Sequence, residues 1–138
     1  MAQKSQKNIK KNTKKNTKKK TKIVEAGRIY ITATFNNTLV TVTDEKGNTI
    51  VISSCGMHGF AGTRKSTPYA GTVTMEAALQ RAIGENGLRR VDIYVKGIGP
   101  GRESSLRAVR GSDLEVGRII DITPIPHNGV RPPKLRRV

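Results

Sequence analysis

Around residue 30 the side chains alternate. Ile29, Ile31, Ala33 and Phe35 interleave with Arg28, Tyr30, Thr32 and Thr34, the period-two pattern of a half-buried strand. Asn36-Asn37 makes a tight turn, Thr38 to Thr43 is a second strand, and Glu45-Lys46-Gly47-Asn48 turns into Ile50-Val51-Ile52. That pattern predicts a three-stranded antiparallel meander. The stretch SSCGMHGFAGTRKS is rich in glycine and small residues and reads as an exposed loop. The period then changes: Met75, Ala78, Leu79, Ala82 and Ile83 share one helical stripe. Thr67-Pro68 supplies an N-cap and a first-turn proline, and Gly87 a C-terminal cap. Arg90 to Lys96 is a strand with Val91, Ile93 and Val95 inward. Glu103 to Val109 is a short helix stopped by Gly111, and Val116 to Thr123 a last strand. The sequence predicts an α/β domain with a mixed five-stranded sheet and two crossover helices. The pattern does not order the strands.

Charge divides the chain. Residues 1–22 hold ten lysines and no acid, and RPPKLRRV at the end adds four cations. The segment between carries twelve cations against all ten acids. A nearly neutral domain, 23–123, therefore sits between a disordered Lys-rich tail, 1–22, and an extended Pro/Arg-rich arm, 124–138. Two cationic ends around a neutral body point to a polyanion, because each phosphate neutralised releases counterions. The single Cys55 allows no intrachain disulfide. Signal-peptide and membrane-span patterns are both missing, so a soluble intracellular protein is expected, with no membrane partner.

Three stretches offer chemistry. In KGIGPGRESS the three glycines of Gly97, Gly99 and Gly101 follow a strand and precede a helix, and Arg102 follows them. Backbone N–H groups free of side chains, a helix start and a guanidinium suit a phosphate. The spacing is neither the P-loop nor the dinucleotide fingerprint, which favours a nucleic-acid phosphate over a cofactor's; no cofactor and no small-molecule substrate are expected. Arg64, Lys65 and Ser66 lie just ahead of the predicted long helix, a second compact place for backbone phosphates. In PIPHNGVRPPKLRRV the prolines suit an arm lying in a groove.

Other chemistries are weaker. Cys55-Gly-Met-His58 has a possible ligand spacing, but His127 is the only further histidine, too little for a structural zinc site. Asp44, Asp92 and Asp121 lie in or near three strands, which keeps open a Mg²⁺-dependent nuclease. A DNA-compacting protein is a third reading. Only Tyr30, Phe35, Phe60, Tyr69 and Tyr94 are aromatic. With Phe35 assigned to the core, few remain to stack on unpaired bases, which weighs against a single-strand platform.

SSCGMHGFAGTRKSTPYA, KGIGPGRESSLRA and DITPIPHNGVRPPKLRRV together resemble small-subunit ribosomal protein eleven, a universal family, in its bacterial or organellar type. The likeness covers about residues 25 to 138. It implies an RNase H-like fold and a non-enzymatic protein that binds the platform (central-domain) RNA of the small subunit. It also implies an arm near the 3′ end of that RNA and the upstream messenger, beside neighbouring platform proteins, in a bacterial cytoplasm or an organellar matrix or stroma. The RNA-facing residues it implies are Arg64, Lys65 and Ser66; then Lys96, Gly97, Gly99, Gly101 and Arg102, with Glu103 orienting Arg102; then His127, Asn128, Arg131, Lys134, Arg136 and Arg137. The Asn128-Gly129 pair matches the family's site of isoaspartate formation. The chain departs from the family pattern at Val130, where bacterial members carry Cys, and at Leu135, where a further cation is usual. It departs again at Gly71-Thr72, where Ala-Gln is usual and the glycine is expected to cost about 1 kcal/mol of helix preference.

Overall fold

The computed structural model describes residues 21–137, so the expectation of disorder for the lysine tail falls almost wholly outside the described residues. The chain runs through β1 (Ala26–Ala33), β2 (Thr38–Asp44) and β3 (Thr49–Ser54). Two short 3-10 turns follow, at Cys55–His58 and Gly62–Ser66, and then α1 (Pro68–Asn86), β4 (Arg90–Lys96), α2 (Gly101–Arg110) and β5 (Glu115–Asp121). The five strands form one sheet in the order β3-β2-β1-β4-β5. β1, β2 and β3 pair antiparallel, whereas β4 runs parallel to β1 and β5 parallel to β4. The expected mixed sheet with two crossover helices is present.

Local chemistry places these elements. The Thr67 hydroxyl accepts from the Ala70 N–H with Pro68 in the first turn, and Gly87 ends α1 in the left-handed conformation at φ 69°. Alternation in β1 buries Ile29, Ile31 and Ala33. These residues, with Val40, Val42, Val51, Ile93 and Val95, meet Met75, Ala78, Leu79 and Ala82 of α1 and Val109 of α2 in one core. Burying each large aliphatic side chain stabilises by about 1.5–3 kcal/mol.

Two expectations change. Phe35 is not core: β1 ends at Ala33, and Phe35 is 66% exposed in the turn. The Thr34 hydroxyl closes that turn by accepting from the Asn37 N–H at 3.1 Å, so alternation stops one period early. The stretch from Ser53 to Ser66 is not wholly a loop, because Ser53 and Ser54 extend β3 and Cys55 is fully buried. β5 is an edge strand, exposed over most of its length. Its register shifts at Gly117, where Val91 pairs Val116 but Asp92 pairs Arg118. This bulge keeps Val116 and Ile119 on the helix side and turns Arg118 and Ile120 to the other face.

Gly71 repays its helix cost in packing. A Cβ there would lie 2.6 Å from Ser104 Oγ and 2.9 Å from Gly101 Cα, so the glycine lets α1 and α2 cross closely. Gly84 has no such reason, because nothing lies within 4 Å of a Cβ at that position. Gly84→Ala should therefore stabilise the domain by up to about 1 kcal/mol through helix propensity. Gly99→Ala, which drives a methyl into the Thr34 carbonyl, should cost about 2–3 kcal/mol or more. Urea unfolding of the two variants measures both.

Candidate nucleic-acid interface

β1, β3, β4 and β5 all point one way, and the predicted contact residues collect at their carboxyl ends. Arg64, Lys65 and Ser66 form the second 3-10 turn, between β3 and α1. Lys96 is the exposed last residue of β4, the glycine loop follows it, and the arm leaves β5 at Asp121. Glu25, Asp44, Glu45, Glu85, Asp113 and Glu115 lie at the opposite end of the strands and helices. Lys46, Arg89, Arg90 and Arg110 stand among those acids, whereas Arg64, Lys65, Lys96 and Arg102 face only Glu103 and Asp121 at the carboxyl end, where open α/β sheets commonly bind ligands.

The glycine loop is built against the β1–β2 turn. A Cβ on Gly97 would strike the Ala33 carbonyl oxygen, one on Gly99 the Thr34 carbonyl oxygen, and one on Gly101 the Thr38 hydroxyl. Gly97 also has φ 97°, a backbone conformation that disfavours other residues. The Gly99 N–H donates to Ala33 O at 3.1 Å, and the Gly97 N–H to Thr123 Oγ1 at 3.1 Å. Sequence alone assigned these amides to an anion; in the structure both hold the loop onto its own chain.

Arg102 is clamped rather than free. One terminal nitrogen donates to Gly97 O at 3.0 Å and the other to Asp121 Oδ2 at 2.9 Å. Asp121, not the exposed Glu103, orients it. The Asp121 Oδ1 accepts from the Thr123 hydroxyl at 2.6 Å and the Thr123 N–H at 2.9 Å. These bonds, the Thr123 hydroxyl first and then its N–H and Arg102, lower the Asp121 carboxyl from 3.8 to about 2. Asp121 and Thr123 are the functional pair that sequence reasoning missed; the Asp-x-Thr spacing, typical of a side-chain-closed turn, was the available signal.

Of the remaining candidates, Arg64 and those of the arm are exposed and Lys65 and Ser66 half-buried. Ser66 Oγ donates to Thr63 O at 2.7 Å, which fixes the turn that carries Arg64 and Lys65. Beside it, Phe60 and Tyr69 meet edge to face at 5.9 Å between ring centres, and Tyr69 is 70% exposed. His127, Asn128, Arg131, Lys134, Arg136 and Arg137 lie along an exposed arm without regular secondary structure. Asn128 has φ 61°, a left-handed turn that an Asn-Gly pair accommodates.

The carboxylates of the nuclease reading do not converge. Asp44 accepts from the N–H and the side-chain amide of Asn48, both at 2.8 Å. Asp92 accepts from Arg118 Nε at 3.0 Å, and Asp121 holds Arg102 and Thr123. Among the described residues no three His, Cys, Asp or Glu gather as a metal site. His58 Nε2 lies 2.7 Å from Ser53 Oγ, while the buried Cys55 Sγ accepts from Thr74 Oγ1 at 3.3 Å. Among the same residues no helix is long and apolar enough to cross a membrane.

The Asp121 clamp carries a pH signature. Because its folded pKa, about 2, lies below the ordinary 3.8, its contribution to stability is complete above that ordinary value. The contribution is lost as pH falls through 3.8 toward 2. Over this window the stability of Asp121→Asn should depend less on pH than that of the wild type, as measured by thermal unfolding at a series of pH values.

The fold, the cationic end and the glycine loop coincide with a family match: the family model described as Ribosomal protein S11 covers residues 27–137. The chain therefore belongs to the ribosomal protein S11 family, whose members are structural, RNA-binding constituents of the small ribosomal subunit.

Proposed function

We propose that this protein seats on the platform (central-domain) RNA of the small subunit, promotes platform assembly, and runs its arm past the RNA 3′ end toward upstream messenger. The observation that carries this reading is the gathering of Arg64, Lys65, Lys96 and Arg102 with the root of a cationic arm at one end of the sheet. Arg102, held by two bonds, meets a backbone phosphate without first being ordered, and Arg64, Lys65 and Lys96 add cations beside it. Gly97, Gly99 and Gly101 act by holding Arg102 and the arm in place. Ser66 acts by holding the turn of Arg64 and Lys65. His127, Asn128, Arg131, Lys134, Arg136 and Arg137 order along RNA as the complex forms, and neighbouring platform proteins pack beside them. The lysine-rich segment 1–22 is a further polyanion-binding tail.

In this reading the host compartment is a bacterial cytoplasm or an organellar matrix or stroma, and no cofactor takes part. Asn128 is a site for isoaspartate formation: Gly129 leaves its N–H open to attack on the Asn128 side chain.

The test is sedimentation of the tagged chain from gently lysed cells, before and after a high-salt wash. Retention with the small subunit through the wash is expected. A peak near the top of the gradient, free of ribosomal RNA, contradicts the reading. In reconstitution, Arg102→Ala should weaken incorporation several-fold more than Lys18→Ala, because the clamped guanidinium needs little ordering whereas one tail lysine is one cation among many. Equal effects would remove Arg102 from the central contacts.

A further inference from the structure

Both helices pack on one side of the sheet, and no element among the described residues covers the other side. Strand register shows what that open face presents. Tyr30 pairs across with Tyr94 in the parallel β1–β4 ladder. Their rings stack at 5.0 Å between centres and 17° between planes, and both are half-buried. One row toward the strand starts, Arg28, Asp92 and Arg118 stand side by side, with Arg118 Nε 3.0 Å from Asp92 Oδ2. Arg28 has no ion pair among the described residues. Arg28 precedes Tyr30 by two residues on the same face of β1, which places this cation in the row beside the ring pair. One row toward the strand ends, Thr32 pairs Lys96, which is exposed. A stacked aromatic pair thus lies at the middle of the face, with a cation before it and another after it, over about 13 Å of strand.

We propose that this open face is a stacking platform for an unpaired stretch of RNA, with bases packing on the Tyr30–Tyr94 pair and flanking phosphates meeting Arg28 and Lys96. The choice of RNA as ligand rests on the function proposed above; the use of unpaired bases does not follow from it. Cations at the strand ends need only backbone, whereas exposed aromatic rings gain from bases, whose flat faces stack on them irrespective of sequence. The charge of the face argues for a polyanion over a protein surface. Arg28, Arg90, Lys96 and Arg118 stand against Asp92 and Glu115 on this face, and an uncharged partner would desolvate the excess cations without compensation. A second copy of the chain would bring the same positive face and be repelled. Counting five aromatics in the sequence argued against such a platform; the register places two of them together where the sheet is bare.

The experiment uses the full chain, a ten-nucleotide single-stranded RNA, and an abasic ribose-phosphate oligomer of the same length, at fixed salt. Wild type should prefer the RNA. The double variant Tyr30→Leu/Tyr94→Leu should bind RNA roughly ten- to a hundred-fold more weakly, about one or two stacked bases' worth, and bind the abasic oligomer as before. Tyr30→Phe/Tyr94→Phe should keep the preference, since the stacking surface survives without the hydroxyls. An independent readout is tyrosine fluorescence in a Tyr69→Phe background. The chain has three tyrosines and no tryptophan, so the remaining signal comes from the platform pair alone. RNA should quench it and the abasic oligomer should not. Unchanged RNA affinity in the Leu variant, equal losses on both oligomers, or no base-dependent quenching overturns the platform and leaves backbone binding standing. A wild type that binds neither polymer overturns both readings.

Discussion

Where the chain leaves β4 it has no room for a side chain at Gly97, Gly99 or Gly101, and much of the interface depends on that. The backbone from Gly97 to Gly101 lies directly on the Ala33 and Thr34 carbonyls and the Thr38 hydroxyl. Close approach sets where α2 begins, and hence where Arg102 points. Arg102 then reaches Gly97 O behind it and Asp121 ahead, while Thr123 closes the circuit by accepting from the Gly97 N–H. One short loop therefore fixes the start of a helix, the end of the edge strand and the root of the arm. A cation held in this way has already lost the freedom that binding would otherwise take from it.

Polarity follows from topology. Parallel crossovers return the chain so that loops after β1, β3, β4 and β5 open at a common end. Arg64, Lys65, Lys96 and Arg102 lie at that end against Glu103 and Asp121, whereas at the other end six acids are mixed with Lys46, Arg89, Arg90 and Arg110. A net charge near zero for the domain hides this uneven distribution. The tails then add charge, and the folded domain supplies the orientation that a polycation alone lacks.

Much of the fold was legible because it rests on local rules. Alternation marked the strands, the Thr67-Pro68 start and Gly87 stop bounded α1, and the change of period separated sheet from helix. Phe35 misled because alternation in composition continued after the backbone had turned. β5 could be located but not recognised as an exposed edge, since strand order depends on non-local pairing. The glycine loop was read for a different physical reason than the one the structure gives it. Its amides looked free for an anion until tertiary contact supplied Ala33 O and Thr123 Oγ1 as partners. The same limit hid Asp121 as the partner of Arg102, nineteen residues away, and Tyr30 as the neighbour of Tyr94. Each pairing is set by the register between strands distant in sequence.

In the proposed function the carboxyl end of the sheet faces ribosomal RNA and the opposite end faces away. The most direct measurement of this orientation is cleavage of RNA by hydroxyl radicals from iron tethered to a single introduced cysteine in reconstituted small subunits. Thr63→Cys probes the cationic end and Lys46→Cys the opposite turn, both exposed, while the native Cys55 is fully buried. The account predicts strong, localised cleavage from position 63 and little from position 46. Equal cleavage from both, or stronger cleavage from position 46, would contradict it.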